Sequence, residues 1–265
     1  MRVASATSRK NAEKWPTATV PRAANGNGWP SFTARGEDCC TTGVGAPPFH
    51  YLVCSKPDSR PRRSFVHRHH VIISGTGRSG TTFLMQLLTH MGLDTGYSDA
   101  SSGFLPHCKA GMEREIEDEN APYIIKSPWL CTKLDDLIER GVIHVDLAII
   151  PVRDLFSAAQ SRRDVSAKTD PALFPGHVPG GVWLTDDGEK QESVLAAQFY
   201  QLMHALTKHR VPTTLLLFPR MVRDPEYLYE GLRGLLVDLP YEAFLPAFET
   251  VARPEWVHDF AARPG

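Results

Sequence analysis

From about residue 70 onward, short apolar runs alternate with segments in which apolar residues recur at helical spacing. The apolar runs are typical of buried strands, and they begin at Val71, Tyr123, His144 and Thr213. Each run is followed by a segment that favours a helix; after the first, for example, Leu84, Leu87 and Leu88 share one helical face. Strands that alternate with helices predict an α/β fold, in which a parallel sheet is flanked by helices on both faces.

The remaining segments complete this outline. An acidic helix is predicted over residues 112–120 and a long helix over 189–210, with loops at 92–110 and 171–188. Asp224 followed by Pro225 is a typical helix start, since Asp caps free N–H groups and Pro fits the first turn. The strands before and after the long helix are both predicted to be buried.

Three polar positions come directly after the apolar runs. They are the Ser74-Gly75 pair, Lys126 and Arg153. Ligands of open parallel sheets bind at the carboxyl ends of the strands. The predicted topology therefore brings these three positions to one site.

The first quarter of the chain has no periodic apolar pattern. Residues 1–66 are rich in Ala, Ser, Thr, Gly, Pro and Arg, and we predict that they form a disordered extension to an α/β domain over 67–265. Up to Gly36 the only acidic residue is Glu13, against six Lys or Arg. That bias is also typical of an organelle-targeting peptide, which is kept as the alternative interpretation.

A histidine-rich stretch precedes the first strand. His67, His69 and His70 have the composition of a metal-binding tract. Since the sequence offers no second cluster of ligands, we interpret the stretch as a basic lead-in to the strand.

Composition narrows the class of protein. The 265 residues are 42% hydrophobic, which is enough for one sizeable core, and the net charge of −1 gives no reason to expect nucleic acid as a partner. No apolar run approaches the roughly 18 residues of a transmembrane helix. Five cysteines without a Cys-x-x-Cys pair favour reduced thiols and a cytoplasmic location. The oligomeric state is not indicated.

The loop after the first strand carries the most specific chemistry. Gly75 and Gly80 have the spacing of a P-loop, G-x-x-x-x-G-K-[ST], between a strand and a helix. Such a loop turns backbone N–H groups toward an anion. The position of the P-loop lysine is occupied by Thr81, while a positive charge stands inside the loop at Arg78. This pattern argues against an ordinary ATPase, GTPase or kinase.

The stretch from Gly75 to Leu84 closely resembles the 5′-phosphosulfate loop of sulfotransferases that use 3′-phosphoadenosine 5′-phosphosulfate (PAPS). The resemblance implies a P-loop-containing, sulfotransferase-like nucleotide-binding fold, with PAPS as the sulfuryl donor and no metal. It further implies that Arg78 contacts the phosphosulfate. The other donor-binding residues that it implies are Gly75, Thr76, Gly77, Ser79, Gly80, Thr81 and Thr82.

A second segment matches the 3′-phosphate site of the same family. That site is an Arg at a strand end and a Ser eight residues later on the following helix. Arg153 and Ser161 have this spacing. The resemblance therefore implies that both residues bind the 3′-phosphate.

A third segment ends the strand that begins near Tyr123. Sulfotransferases carry a Lys at the end of the corresponding strand, and Lys126 occupies that place, which implies a catalytic contact near the bridging oxygen. Some branches of the family follow this Lys with a His base two residues later. Here that position is Pro128, so the base must come from elsewhere.

The best single candidate for the base is Asp99. It lies 21 residues after Arg78, where the tyrosylprotein branch of the family has its Glu base. The base must lie within hydrogen-bond reach of the acceptor, directly or through one water. The rival candidates are His107, Glu113, Glu115 and His177.

The resemblance implies transfer of a sulfuryl group to a hydroxyl or amine of a small-molecule, carbohydrate or lipid acceptor that the sequence does not identify. The acceptor pocket is expected from the loops at 92–110 and 171–188. Two alternatives stay open: a P-loop nucleotide kinase or NTPase, and a nucleotide-binding relative that has lost turnover.

Overall fold

The computed structural model describes residues 68–170, 172, 174, 178–258 and 260. The predicted extension over residues 1–66 and the candidate base His177 lie outside the described residues.

The described strands form a four-stranded parallel sheet. It consists of β1 (Arg68–Ile73), β4 (Ile124–Lys126), β5 (Ile143–Val152) and β6 (Thr213–Leu217), in the spatial order β4-β1-β5-β6. Helices connect successive strands, as parallel pairing requires. The predicted α/β class is confirmed.

The helices cover both faces of this sheet. Alternate residues of β1 point to opposite faces, so Val71 and Ile73 belong to one apolar cluster and Ile72 to another. The helices are α1 (Thr81–His90), α2 (Leu130–Glu139), α3 (Leu155–Lys168), α4 (Gln191–Lys208), α5 (Arg220–Arg223), α6 (Pro225–Leu232) and α7 (Tyr241–Val251). The first cluster includes residues of α1 and α7, and the second includes residues of α2 and α4.

Two of the helices begin at aspartates. The carboxylate of Asp154 accepts a hydrogen bond from Ser157 N at 2.8 Å, which caps α3. Asp224 accepts one from Tyr227 N at 3.0 Å and is followed by Pro225 in the first turn of α6. The predicted start of α6 is confirmed, and its chemistry is that of an ordinary helix cap.

The acidic helix predicted over residues 112–120 is wrong. Met112 has a left-handed backbone with φ of 63°, which an α-helix does not accommodate, and Arg114 N donates to Lys126 O at 3.1 Å. The segment is a chain of turns held against β4. Before it, an antiparallel pair of two-residue strands, β2 (Phe104–Leu105) and β3 (Ala110–Gly111), begins within the loop predicted over 92–110 and ends one residue after it.

The prediction that the last strand is buried is also wrong in part. β6 is an edge strand, in which Leu216 is buried while Leu215 and Leu217 are more than half exposed. Among the described residues, every helix is too short or too polar to span a bilayer.

Candidate functional site

The loop between β1 and α1 adopts a backbone that glycine makes possible. Gly77 has φ of 67° and Gly80 has φ of 84°, both in the left-handed region. A Cβ on Gly77 would lie 2.5 Å from Nη2 of Arg162, and one on Gly80 would lie 2.5 Å from Cε of Met221. The loop therefore follows a path that is closed to larger residues. Arg78, with φ of 55°, takes the same region without being glycine, which marks a strained backbone.

A cavity of about 350 Å³ opens beside this loop, at the carboxyl ends of β1, β4 and β5. The predicted site residues that line it are Gly75, Gly77, Arg78, Gly80, Thr81, Thr82, Lys126, Arg153 and Ser161. The sheet topology thus brings together the three strand ends as expected.

Two residues of the predicted loop set, Thr76 and Ser79, do not line the cavity as the structure has it. Thr76 contributes its carbonyl oxygen, which accepts a hydrogen bond of 2.9 Å from Arg162. Ser79 is wholly buried, and its hydroxyl has no hydrogen-bond partner among the described residues. Buried polar groups are normally paired, so this hydroxyl is an unused donor in the loop between two lining residues, Arg78 and Gly80.

The cavity is strongly electropositive, although the chain as a whole has a net charge of −1. Among the described residues that line it, Glu113 is the only carboxylate. The lining cations are Arg78, Lys109, Lys126, Arg153, Arg162 and Arg253. A wall of this composition attracts an anionic ligand.

Arg78 connects the loop to two other segments. Its Nε donates to Ser161 Oγ on α3 at 3.1 Å, and its Nη1 donates to Cys108 O at 2.6 Å. Burial lowers the pKa of the guanidinium from its ordinary value. An anion near Arg78 would compensate the charge that is partly removed from water here.

Arg153 and Ser161, eight residues apart, meet the loop from the side of α3. Arg153 Nη1 donates to the carbonyl of Arg78 at 2.8 Å, and its guanidinium lies over the ring of Phe218, 4.9 Å from the centroid. Ser161 is buried and accepts the bond from Arg78. The two motifs that the sequence relates to phosphate binding are therefore in direct contact.

Lys126 reaches the loop from the end of β4. It is only 5% exposed, and its Nζ donates to Thr82 Oγ1 at 3.0 Å and to Glu113 Oε1 at 2.7 Å. Burial lowers the pKa of Lys126, and the Glu113 carboxylate opposes this effect by stabilising the charged amine. Lys126 thus places a positive charge beside the loop that lacks the P-loop lysine.

Arg162 is a site residue that the sequence reasoning missed. It is buried, and it donates from Nη1 to Gly181 O at 2.8 Å and from Nη2 to Thr76 O at 2.9 Å. Its guanidinium lies over Trp183, and its Nε has no hydrogen-bond partner within the described part of the chain. Burial, together with the positive charge of Arg78, lowers the pKa of Arg162 to about 10. The only sequence signal was its position directly after Ser161.

Asp99 does not lie at the cavity. Its carboxylate is exposed, and it accepts hydrogen bonds from the backbone N–H groups of Ser101 and Ser102 and from three serine hydroxyls. These bonds, with those of Ser101 the largest, hold the pKa of Asp99 well below its ordinary value of 3.8. The geometry is that of a turn cap, and such a carboxylate is a poor proton acceptor.

Among the rivals that the structure describes, which leaves out His177, Glu113 is the one that lines the cavity. Its Oε1 accepts the bond from Lys126, and its side chain is 42% exposed. Glu115 instead pairs with Lys133 at 3.1 Å, and His107 is exposed and stacks on Phe174.

Apolar side chains also line the cavity. Phe104 and Trp256 stack in parallel with ring centroids 6.1 Å apart, and Lys109 Nζ lies 5.0 Å above the Trp256 ring. Both loops that were expected to form an acceptor pocket contribute lining residues, Phe104 from the first and Trp183 from the second. The C-terminal residues Val251, Arg253, Trp256, Val257 and His258, which the sequence did not indicate, complete the lining.

Comparisons with known proteins add little to this picture. No protein-family model and no curated protein matches the chain. Among solved structures, the sulfotransferase domain from the Synechococcus PCC 7002 olefin synthase is similar over 71% of this chain and 82% of its own length, with 14% sequence identity and a TM-score of 0.41. A likeness of this degree carries no argument about chemistry, so the function has to be argued from the site.

Proposed function

We propose that this protein is a sulfotransferase that moves a sulfuryl group from PAPS to a hydroxyl or amine of an acceptor. The observation that carries the proposal is the contact between two separate phosphate motifs: Arg78 of the loop bonds to Ser161, and Arg153 bonds to the carbonyl of Arg78. Both motifs line one electropositive cavity.

The hydrogen-bond donors of the cavity suit a nucleotide that carries two separate phosphate groups. The loop, Arg78 and the N-terminal end of α1 would hold the 5′-phosphosulfate, and Arg153 with Ser161 would hold the 3′-phosphate. The unpaired Ser79 hydroxyl and Arg162 Nε are spare donors in the same region. When bound, PAPS would supply the sulfuryl group and a phosphate that leaves.

Glu113 takes the place of Asp99 as the proposed base. Its Oε1 is held by Lys126, while its second oxygen has no hydrogen bond among the described residues. That oxygen would accept the proton of the acceptor hydroxyl or amine, and the freed electron pair would form the new bond to sulfur. The electron pair of the broken bond would go to the phosphate oxygen.

Lys126 and Arg78 would stabilise the negative charge that develops on that oxygen. Both cations are partly or wholly removed from water, so their effect on a nearby anion is stronger than at the surface. They are also fixed in place by hydrogen bonds, which avoids reorganisation during the reaction.

A nucleotide kinase or NTPase is supported less well. Such an enzyme needs carboxylates for Mg²⁺. Asp154, the acid that follows β5, is used as the cap of α3. Glu113, the single carboxylate among the described lining residues, is paired with Lys126. A relative that binds the nucleotide without turnover would have the same binding site, so only a measurement of activity distinguishes it from an enzyme.

The test compares nucleotides with and without a 3′-phosphate by calorimetric titration. We expect 3′,5′-adenosine bisphosphate to bind at least about 10-fold more tightly than 5′-AMP, because each charge-assisted contact contributes roughly 1.5–3 kcal/mol. Equal affinities would contradict the assignment of Arg153 and Ser161. Binding of Mg·ATP alone would favour the kinase or NTPase alternative.

A matched pair of variants on α3 sharpens the test. Ser161→Ala removes the hydroxyl that Arg78 contacts, whereas Ser157→Ala makes the same change one turn earlier, at a residue that does not line the cavity. The preference for the 3′-phosphate should shrink in Ser161→Ala and persist in Ser157→Ala.

A further inference from the structure

A second cluster of polar side chains lies at the amino ends of the strands, opposite the end that carries the cavity. His69 of β1 pairs in register with His144 of β5, and Asp146 follows two residues later. One ligand atom from each of these three residues lies within 4.8 Å of the others. The sequence offered no further ligands for the histidine-rich stretch. The structure brings His144 and Asp146 to His69.

A β-bulge places Asp146 in this cluster. His70 pairs with Val145 and Val71 with Leu147, so Asp146 has no partner residue on β1. Bulges are rare between parallel strands, and they often re-aim a side chain. Since residues two apart on a strand share a face, Asp146 stays on the side of His144.

The contacts within the cluster resemble those of a ligand set. Asp146 Oδ1 lies 2.8 Å from His69 Nδ1 and 3.5 Å from His144 Nε2, and Oδ2 accepts a bond from the Tyr123 hydroxyl at 3.1 Å. The Asp146 carboxylate thus faces both imidazoles with one oxygen, while the Tyr123 hydroxyl orients the group through the other.

We propose that His69, His144 and Asp146 bind a divalent transition-metal ion of the Zn²⁺ class. Two imidazoles and one carboxylate are a common donor set for such ions, and they leave the fourth coordination position open to water. Ligand atoms about 2.1 Å from a tetrahedral ion lie about 3.4 Å from one another. The two separations that involve Asp146, 2.8 and 3.5 Å, are near that value, and all three ligand atoms lie within 4.8 Å of one another, so side-chain rotations can bring them around one ion.

The surroundings explain why His69, and not His70, is the ligand from the histidine-rich stretch. The side chains of His69 and His144 are both 59% exposed, so an ion can reach them from solvent. His70 is buried, and its Nδ1 is engaged by Pro122 O at 2.9 Å, so it belongs to the interior. His69 and the loop at Gly75 are six residues apart along β1, or roughly 20 Å, which separates the metal site from the proposed sulfuryl transfer.

Calorimetric titration of the full chain with ZnCl₂ tests the proposal. Loss of a partner that only orients a ligand lowers metal affinity about 10–100-fold, so loss of a ligand should cost about 100-fold or more. We therefore expect His69→Ala and His144→Ala each to lose Zn²⁺ affinity to that extent. Tyr123→Phe should lose about 10-fold, because the carboxylate keeps its charge but loses its orienting bond.

His90→Ala is the matched control, since His90 is exposed at the end of α1 and is not a member of the cluster. Its Zn²⁺ affinity should equal that of the unchanged protein. Zn²⁺ affinity that survives in both His69→Ala and His144→Ala, or absence of binding in the unchanged protein, would overturn the proposal. If circular dichroism shows that an alanine variant is unfolded, Asp146→Asn, which preserves side-chain volume, replaces it with the same expected loss.

Discussion

Arg78 and Ser161 are 83 residues apart in the chain, yet Arg78 Nε donates a 3.1 Å hydrogen bond to Ser161 Oγ. The contact joins the loop after β1 to α3, and Arg153 reinforces it by bonding to the carbonyl of Arg78. Residues in one hydrogen-bond network are expected to act non-additively. The loop, Arg153 and Ser161 of α3 should therefore respond to mutation as one unit.

Arg78→Ala tests the centre of this unit. If the guanidinium stabilises the leaving phosphate, its loss should lower turnover by roughly 10²-fold or more, the magnitude found for preorganised contacts to a developing charge. Turnover is measured as release of 3′,5′-adenosine bisphosphate from PAPS, with water taking the sulfuryl group in place of the unidentified acceptor.

Arg233→Ala is the control for Arg78→Ala. Arg233 is an exposed cation that directly follows α6 and pairs with Glu230 of that helix. It should leave turnover unchanged. A folded Arg78→Ala variant with activity within a few-fold of the unchanged protein would remove Arg78 from the mechanism.

Glu113→Gln and Asp99→Asn decide between the two candidate bases. Glu113 lines the cavity beside Lys126, while Asp99 caps an exposed turn. Loss of a general base typically costs about 10²–10⁴-fold in rate. We expect a loss of that order in Glu113→Gln and almost none in Asp99→Asn, measured by the same release assay. The reverse result would restore the role to Asp99.

The sequence was sufficient for the parts of the fold that depend on local pattern. Apolar runs located the parallel strands, and Asp224 with Pro225 located the start of α6. The turns at 112–120 were mistaken for a helix because a run of acidic residues does not reveal the left-handed backbone of Met112 or the bond from Arg114 to β4. Both features depend on tertiary packing, which overrides helix propensity.

The candidate site divides in the same way. Arg78, Lys126 and Arg153 could be predicted because motif spacing and strand ends place them. Arg162 could not, because only the packing of α3 buries it against Trp183 and Thr76 and leaves its neighbour Arg163 to pair with Glu192. The distance of Asp99 from the loop along the chain likewise contains no information on its distance in space.

Gly77→Ala tests whether the loop conformation matters for binding. Gly77 has φ of 67°, and a Cβ there would lie 2.5 Å from Arg162 Nη2, which is held by Thr76 O. We expect a loss of about 1–3 kcal/mol in the free energy of unfolding, from backbone strain and displacement of Arg162. The affinity for 3′,5′-adenosine bisphosphate should fall as well.

Gly92→Ala provides the comparison for Gly77→Ala. Gly92 also has a positive φ, of 80°, but a Cβ there meets nothing within 4 Å. It should lose stability in urea unfolding through backbone strain alone and keep its nucleotide affinity. Equal losses of affinity in both variants would mean that the space beside Gly77 is unimportant.

Lys126→Met separates stability from function. Burial lowers the pKa of Lys126 below its ordinary 10.5, so between the lowered value and 10.5 the unfolded chain binds more protons than the folded one. The stability of the unchanged protein should therefore gain a contribution as the pH rises through that window, and Lys126→Met should lack it.

Because Glu113 is 42% exposed and can be hydrated without its partner, the variant should be as stable as the unchanged protein near neutral pH, or about 1 kcal/mol more stable. Turnover should nevertheless fall by roughly 10²-fold, since the positive charge beside the loop is gone.

Urea unfolding of both proteins over a series of pH values, up to 10.5, gives the difference between their profiles of unfolding free energy against pH. Parallel profiles would mean that Lys126 is not titrated differently in the folded state, and a fully active variant would exclude it from charge stabilisation.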